Sequence, residues 1–258
     1  MSNAYQTPES NLVNESVSKG EYGSVEKAIQ GEYEFSIGSV LSEAWAKTNG
    51  CKGVFNLGFF FYLLVIIGVM SVMSVVTVGM LSVGDAGTHP GELTSGMMFN
   101  QVFLQLAVNL IILPMVMGLA MIGIKRSVDA PISAGMVFKY FSKMIPLFIT
   151  MILIYIMIII GLILLVLPGL YLMVAYYAAM PLVVEKGMSP WQAMETSRKA
   201  ITHRWFSVFG LFFVTMLIVT ISAIPLGIGM IWTMPMMMVA FGILYRNMFG
   251  VEPENLSE

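Results

Sequence analysis

Long apolar runs alternate with shorter polar segments along the chain from residue 54 onward. An apolar run of about 20 residues is long enough to cross the hydrocarbon core of a membrane as an α-helix. The pattern predicts six such spans, near residues 54–81, 98–124, 144–167, 170–184, 205–224 and 230–249. The predicted fold class is all-α: a polytopic membrane protein with six transmembrane helices arranged as three hairpins.

The third and fourth predicted spans are separated only by Pro168 and Gly169. This dipeptide is typical of a tight turn, so we expect the two spans to form a short-loop helical hairpin. The fourth span is short, and a single long kinked helix is the main alternative.

A moderately polar segment precedes each hairpin, at residues 35–50, 131–143 and 189–204. In the first segment, apolar residues from Ile37 to Trp45 recur at helical spacing opposite polar ones, and the third segment has the same pattern from Trp191 to Ile201. We expect short helices on the cytoplasmic interface. The second span of each hairpin carries a proline, and these three prolines are predicted to kink their helices: Pro114, Pro181 and Pro235. The unit of interfacial helix and hairpin occurs three times, which predicts approximate threefold internal symmetry.

Composition agrees with a membrane location. Of 258 residues, 57% are hydrophobic and 11% are charged, and the mean hydropathy is +0.83. Soluble chains are about 45–50% apolar and about 25% charged, so this chain is predicted to be an integral membrane protein without a sizeable soluble catalytic domain. Residues 1–30 are rich in Ser, Asn, Glu and Gly, which predicts a flexible cytoplasmic tail. Residues 31–250 form the six-helix domain, and residues 251–258 a second cytoplasmic tail.

Basic residues indicate the orientation. Twelve of the thirteen Lys and Arg residues precede span one or lie in the connections between spans two and three and between spans four and five, and Arg246 lies at the end of span six. Connections 82–97, 168–169 and 225–229 contain none. Because positive charge is retained on the cytoplasmic side, both termini are predicted to be cytoplasmic.

Two groups of residues are candidate sites. Basic side chains near an anionic leaflet attract lipid headgroups, and the candidates for this contact are Lys125, Arg126, Arg198, Lys199 and Arg204. A polar stripe with four-residue spacing runs along span two and consists of Gln101, Gln105 and Asn109. The stripe either lines a cavity for an uncharged solute or makes hydrogen bonds between helices, and the second interpretation is favoured.

Other chemistry has little support in the sequence. The central parts of the spans contain no ionisable residue, which argues against a proton or sodium path. No HExxH, GxSxG or Walker-type motif is present, so we expect no enzymatic activity, cofactor or metal. Asp85, His89 and Glu92 in the 82–97 loop are interpreted as solvated loop residues, because four Gly and Pro residues interrupt any helix there. The isoelectric point of about 5.7 gives no indication of nucleic-acid binding.

Residues 168–210 resemble part of a known group of proteins. The features that carry the resemblance are Pro168-Gly169, Pro181, the Glu185-Lys186-Gly187 turn and the helix from Ala193 to Ser197 ahead of an aromatic-led span. They are similar to those of bacterial six-span inner-membrane proteins, which include the YciC-like family and the membrane domain of some glycerophosphodiester phosphodiesterases. The resemblance implies a multi-pass protein of the bacterial inner membrane. It carries over no catalytic residue.

The expected function is non-enzymatic: the protein organises lipids or partner proteins at the cytoplasmic leaflet. The alternative is a carrier or channel for an uncharged or lipid-like solute. Membrane lipids are the expected partners, an unidentified membrane protein is a further candidate partner, and the oligomeric state stays open.

Overall fold

A computed structural model of the protein describes residues 22–84 and 95–253, and these ranges are helical, without a β-strand. In chain order the elements are α1 (Val25–Gln30), α2 (Ile37–Thr48), α3 (Lys52–Gly84), α4 (Ser95–Ser127), a 3₁₀ helix (Ala134–Lys143), α5 (Met144–Leu164), α6 (Val166–Ala175), α7 (Ala179–Glu185), α8 (Pro190–Thr202), α9 (Trp205–Ala223) and α10 (Met230–Phe249). The all-α prediction is confirmed for this part of the chain.

Five helical segments of the described residues are long and apolar enough to cross a membrane: Lys52–Gly79, Phe99–Ser127, Ala134–Leu164, Val166–Glu185 and Trp205–Ala223. These segments identify a polytopic membrane protein. The predicted sixth span coincides with α10, but α10 is not among the five segments.

The hairpin formed by α5 and α6 reverses at one residue. Leu165 has an extended backbone and separates the two helices, so the turn is not at Pro168-Gly169 as predicted. Pro168 instead lies in the first turn of α6, where its missing N–H needs no partner. A Cβ at Gly169 would lie 2.4 Å from the side chain of Leu162, so glycine permits the close approach of α6 to α5. Because α6 packs back against α5, the alternative of one long kinked helix is wrong.

The predicted fourth span is interrupted. Residues 176–178 form a turn between α6 and α7, and Pro181 lies in the first turn of α7 rather than inside a continuous helix. A proline removes the hydrogen bond to the carbonyl four residues earlier and its ring clashes with that carbonyl, which here belongs to Tyr177. The proline therefore produces a break where a kink was predicted.

Two of the three predicted interfacial segments are α-helices, α2 and α8, and Pro190 occupies the first turn of α8 as the sequence indicates. The remaining segment, residues 131–143, contains the 3₁₀ helix, which has a non-helical backbone at Tyr140. Trp45 and Trp191, on the predicted apolar faces of α2 and α8, are 53% and 60% exposed, so these two rings do not pack inside the protein.

The N-terminal prediction also needs correction. Residues 22–30 belong to the segment predicted as a flexible tail, yet they contain α1, whose Ala28 is fully buried. The Ser24 side chain caps this helix by accepting a hydrogen bond from the Lys27 N–H, and α1 packs against α8 and α10. The rest of the predicted tail, residues 1–21, lies outside the described residues.

Helix α10 forms the centre of the packing. Twelve of its twenty residues are buried, and it contacts α2, α4, α9, α1 and α3. Its closest approach is to α4, where a Cβ at Gly123 would lie 2.2 Å from the Met238 carbonyl oxygen and a Cβ at Gly242 would lie 2.2 Å from the Gly123 carbonyl oxygen. Helix α3, in contrast, has no buried residue in its most apolar stretch.

Candidate functional site: the charged end of the helices

Arg246, near the end of α10, is the most connected charged residue of the described chain. The residue is only 6% exposed. Its guanidinium donates two hydrogen bonds to the Glu43 carboxylate of α2, at 2.8 and 3.0 Å, and another to the carbonyl oxygen of Ser127 at the end of α4. The ring of Tyr22 covers the guanidinium at 4.6 Å. Arg246 therefore joins α2, α4, α10 and the N-terminal segment.

The end of α2 is bound to the loop after α4. Lys47 forms an ion pair with Asp129, and Arg126 donates hydrogen bonds to the carbonyl oxygens of Lys47 and Asn49 at 2.9 and 3.0 Å. Arg126 also lies 3.4 Å from the Asp129 carboxylate. These contacts place the ends of α2, α4 and α10 together, and we call this region the charged end.

The predicted headgroup cluster is not one exposed patch. Lys125 is 1% exposed, so its ammonium is not presented to a lipid surface as predicted. Arg126 is bound to α2 and Asp129, as described. The other three residues lie on or directly after α8, where Arg198 and Lys199 pair with Glu195 at 2.7 and 3.4 Å and Arg204 pairs with Glu34 at 3.2 Å.

Ion pairing perturbs the titration of the α8 residues. Hydrogen bonds from Arg198 lower the pKa of Glu195, and the same contact raises the pKa of Arg198. Both side chains therefore stay charged at neutral pH and neutralise each other. An anionic lipid gains less from such paired arginines than from a lysine without an acidic partner.

A buried carboxylate fixes the C-terminal segment. Glu185, at the end of α7, accepts a hydrogen bond from the Tyr245 hydroxyl at 2.8 Å and another from the Glu252 backbone N–H at 2.6 Å. Lys186 lies 3.4 Å from Glu185 and 2.8 Å from the Glu252 carboxylate. Residues 251 and 252, predicted as part of a tail, are therefore attached to the helices, and residues 254–258 lie outside the described residues.

A serine hydroxyl from α8 closes the break between α6 and α7. The Ser197 Oγ donates to the Ala175 carbonyl oxygen at 2.7 Å and accepts from the Ala178 N–H at 3.1 Å. All three residues are fully buried. Nothing in the sequence indicates this bridging role of Ser197.

A side chain of the neighbouring helix α3 supplies the hydrogen bond that Pro235 cannot make within α10. Because Pro235 has no N–H, the carbonyl oxygen of Ile231 loses its partner within the helix. The Asn56 amide of α3 donates to that oxygen at 3.2 Å. Pro114 is likewise inside a helix, α4, and is buried.

The predicted polar stripe does not face an enclosed space. Gln101 and Gln105 are exposed, beside Phe99 and Phe103, which are 83% and 69% exposed. The Asn109 amide donates to the backbone carbonyl of Gln105 at 2.8 Å. This hydrogen bond lies within α4, so it neither lines a cavity nor joins two helices.

The 3₁₀ helix carries two lysines that the predicted headgroup cluster did not include, Lys139 and Lys143. Lys139 is exposed and Lys143 is partly exposed, and the neighbouring Phe138 and Phe141 are 46% and 37% exposed. Outward lysines next to outward aromatic rings are typical of segments at a membrane surface.

A narrow apolar cleft opens between α3, α4 and α10. It is lined by Phe55, Asn56, Phe59, Leu119, Met234, Pro235 and Met238. Because the Asn56 amide is bonded to Ile231, the cleft presents mainly hydrocarbon, sulfur and aromatic surface.

In the described ranges, no group of three His, Cys, Asp or Glu side chains is arranged to hold a metal ion. Asp85, His89 and Glu92, interpreted as solvated loop residues, lie outside these ranges.

Comparison with protein-family models, with curated proteins and with solved structures finds no match for this chain in any of the three. The class that the structure defines is an all-helical, polytopic membrane protein. The resemblance to the YciC-like group stays a prediction.

Proposed function

We propose that this protein is a non-enzymatic, multi-pass protein of a bacterial inner membrane that organises anionic lipids or a partner protein at the cytoplasmic leaflet. In this proposal α6 and α7 together form the fourth span, α10 forms the sixth, and both termini are cytoplasmic. The three hairpins and their preceding polar elements then form three related units.

The distribution of charge supports this topology. Lys47, Arg126 and Arg246 lie at the charged end, and the other described lysines and arginines lie outside the central parts of the long apolar segments. Positive charge on one side of the spans is typical of the cytoplasmic side. The few polar groups of α10 have partners within the protein, which lowers the cost of placing this helix in lipid.

The observation that carries the lipid proposal is the composition of the 3₁₀ helix. Exposed Lys139 and partly exposed Lys143 accompany the exposed Phe138 and Phe141, directly before the apolar α5. Phe138 also contacts the ring of Phe61 on α3, with ring centroids 5.9 Å apart. The segment thus combines cationic and aromatic contacts where two long apolar segments meet.

The carrier alternative has less support. It requires the polar stripe to line a path, whereas Gln101 and Gln105 are exposed on α4. Exposed amides next to exposed phenylalanines favour contact with the surroundings of the protein over contact with a transported solute.

The proposal is tested by the lipid selectivity of the reconstituted protein. Electron paramagnetic resonance of spin-labelled phosphatidylglycerol and phosphatidylcholine reports which lipid the protein immobilises. A lysine near an anionic leaflet contributes about 1 kcal/mol, equivalent to roughly fivefold in affinity. We therefore expect the double substitution K139Q/K143Q to reduce the preference for phosphatidylglycerol clearly.

The matched control is K27Q/K199Q, which removes the same charge from exposed positions on α1 and α8. It should leave most of the preference intact. An equal loss in both variants would mean that net charge alone sets the preference, and an unchanged preference in K139Q/K143Q would refute the proposal.

A further inference from the structure

The cleft between α3, α4 and α10 has a lysine at one end. Lys52 begins α3, and Phe55, Asn56 and Phe59 follow it at intervals of three, four and seven residues. Residues at these intervals share one face of a helix. Lys52 therefore lies one turn from the cleft, on the face of α3 that lines it.

The partner of Lys52 is neutral. Its Nζ donates to the Asn49 side-chain oxygen at 3.1 Å, and within residues 22–84 and 95–253 no carboxylate lies at ion-pair distance from it. An ammonium has three donors, so it can bind an anionic oxygen while keeping Asn49. Lys47, five residues earlier, differs because it is paired with Asp129.

The cleft and the lysine together define the chemistry of an occupant. The occupant must combine an apolar chain, to match Phe55, Phe59 and Leu119, with an anionic group about one helical turn away. Because the Lys52 ammonium donates to the neutral Asn49 side chain, its charge favours a net negative headgroup over a zwitterionic one. An anionic phospholipid satisfies both requirements, because its phosphate and acyl chains are adjacent.

We propose that one anionic phospholipid occupies this cleft, with its phosphate bound by Lys52 and an acyl chain against Phe59, Leu119 and Met234. The site rests on the proposed function and makes it specific, since it assigns one lipid molecule to one cleft. The 3₁₀ helix adjoins this site, because Val137 and Leu119 both contact the Gly58 position of α3. Lys52 and the lysines of the 3₁₀ helix therefore act on the same leaflet.

Photocrosslinking in lipid nanodiscs tests the site directly. A benzoylphenylalanine replaces Phe59 in the full chain, and phosphatidylglycerol and phosphatidylcholine are supplied in equal amounts with distinguishable masses. We expect a phosphatidylglycerol adduct that exceeds the phosphatidylcholine adduct several-fold. Adding K52Q should bring the two adducts to near equality, whereas adding K27Q should not change their ratio.

Two further positions of the photocrosslinker control for misfolding and for non-specific contact. Benzoylphenylalanine at Met234 probes the cleft from α10 and should show the same preference. The same group at Leu64, which is 50% exposed elsewhere on α3, should crosslink both lipids equally. Equal adducts at Phe59 and Met234, no lipid adduct there, or a crosslink to a second copy of the chain would each overturn the proposal.

The two proposals can fail separately. If K139Q/K143Q leaves the overall lipid preference unchanged while Phe59 still selects phosphatidylglycerol, the organising function is refuted and the cleft site stands. If Phe59 and Met234 lose selectivity while K139Q/K143Q still reduces the overall preference, only the cleft site is refuted.

Discussion

Replacing Ser197 with alanine should destabilise the protein, because one hydroxyl bridges the break between α6 and α7. The substitution removes the 2.7 Å bond to the Ala175 carbonyl and the 3.1 Å bond from the Ala178 N–H. Both backbone groups are fully buried, as is Ser197, so they lose their side-chain partner without gaining access to water.

The magnitude follows from these two bonds. A hydrogen bond between polar groups in a membrane protein averages about 0.6 kcal/mol by double-mutant cycles, which sets a lower limit near 1.2 kcal/mol for two. Leaving a buried donor or acceptor without a partner costs about 1–3 kcal/mol each. We expect Ser197→Ala to lower the free energy of unfolding by about 2–4 kcal/mol, or a factor of roughly 30 to 700 in the unfolding equilibrium.

The assay is equilibrium unfolding in mixed micelles, with Ser71→Ala as the matched control. Ser71 lies inside α3, is exposed, and donates only to the Ile67 carbonyl of its own helix at 2.7 Å. Both substitutions change serine to alanine inside a helix, so the difference in helix propensity cancels. Equal unfolding free energies for the two variants would refute the bridging role of Ser197.

Three further substitutions test helix packing and ion pairing. Glu43→Gln should lower the free energy of unfolding by about 2 kcal/mol, because it leaves the guanidinium of Arg246 without a charged partner. Gly123→Ala should cost about 1–3 kcal/mol, because the added Cβ lies within 2.2 Å of the α10 backbone. Glu195→Gln should cost less than about 1 kcal/mol at neutral pH, because the pair with Arg198 is about one-third exposed. Arg198 lowers the pKa of Glu195, so this contribution is present above the usual carboxyl range and lost as pH falls through the folded-state pKa. Chemical or thermal unfolding measures all three.

Each substitution has a control or an opposing result. Glu34→Gln removes a carboxylate whose side chain is 90% exposed and should have little effect, so a similar loss in both glutamine variants would contradict the role of Glu43. Gly68→Ala adds a Cβ in open space on α3 and should not destabilise the protein, because alanine is favoured over glycine inside a helix. A difference between wild type and Glu195→Gln that grows on acidification would contradict the sign expected for Glu195.

The hydrophobic periodicity of the sequence was sufficient to predict the helices that pack through a single face. Helices α2 and α8 fold where apolar residues recur at helical spacing, and the long apolar runs are helical. Contacts between residues that are far apart in the sequence produce no such periodicity. Glu43 and Arg246 are 203 positions apart, so local spacing cannot identify them as partners.

Short elements depend on their neighbours in the same way. Helix α1 has six residues, too few to be stable alone, and it is held by α8 and α10. The break near Pro181 is displaced towards residues 176–178, because a proline acts on the carbonyl four residues before it. A sequence reading that places a distortion at the proline itself therefore misplaces the interruption.

Helix α10 shows why a helix at the centre of a membrane protein can have a low hydropathy. A helix that faces lipid must be apolar on its exposed surface, and α3, which has no buried residue in its most apolar stretch, has a mean hydropathy of 2.6 there. Helix α10 instead faces protein on most sides, so it can carry Thr233, Tyr245 and Arg246, each of which has a hydrogen-bond partner within the protein. Polar residues lower its hydropathy without exposing polar groups to lipid. Because other helices surround α10, it can be less apolar than the five segments. The same burial supports its proposed place as the central, sixth span.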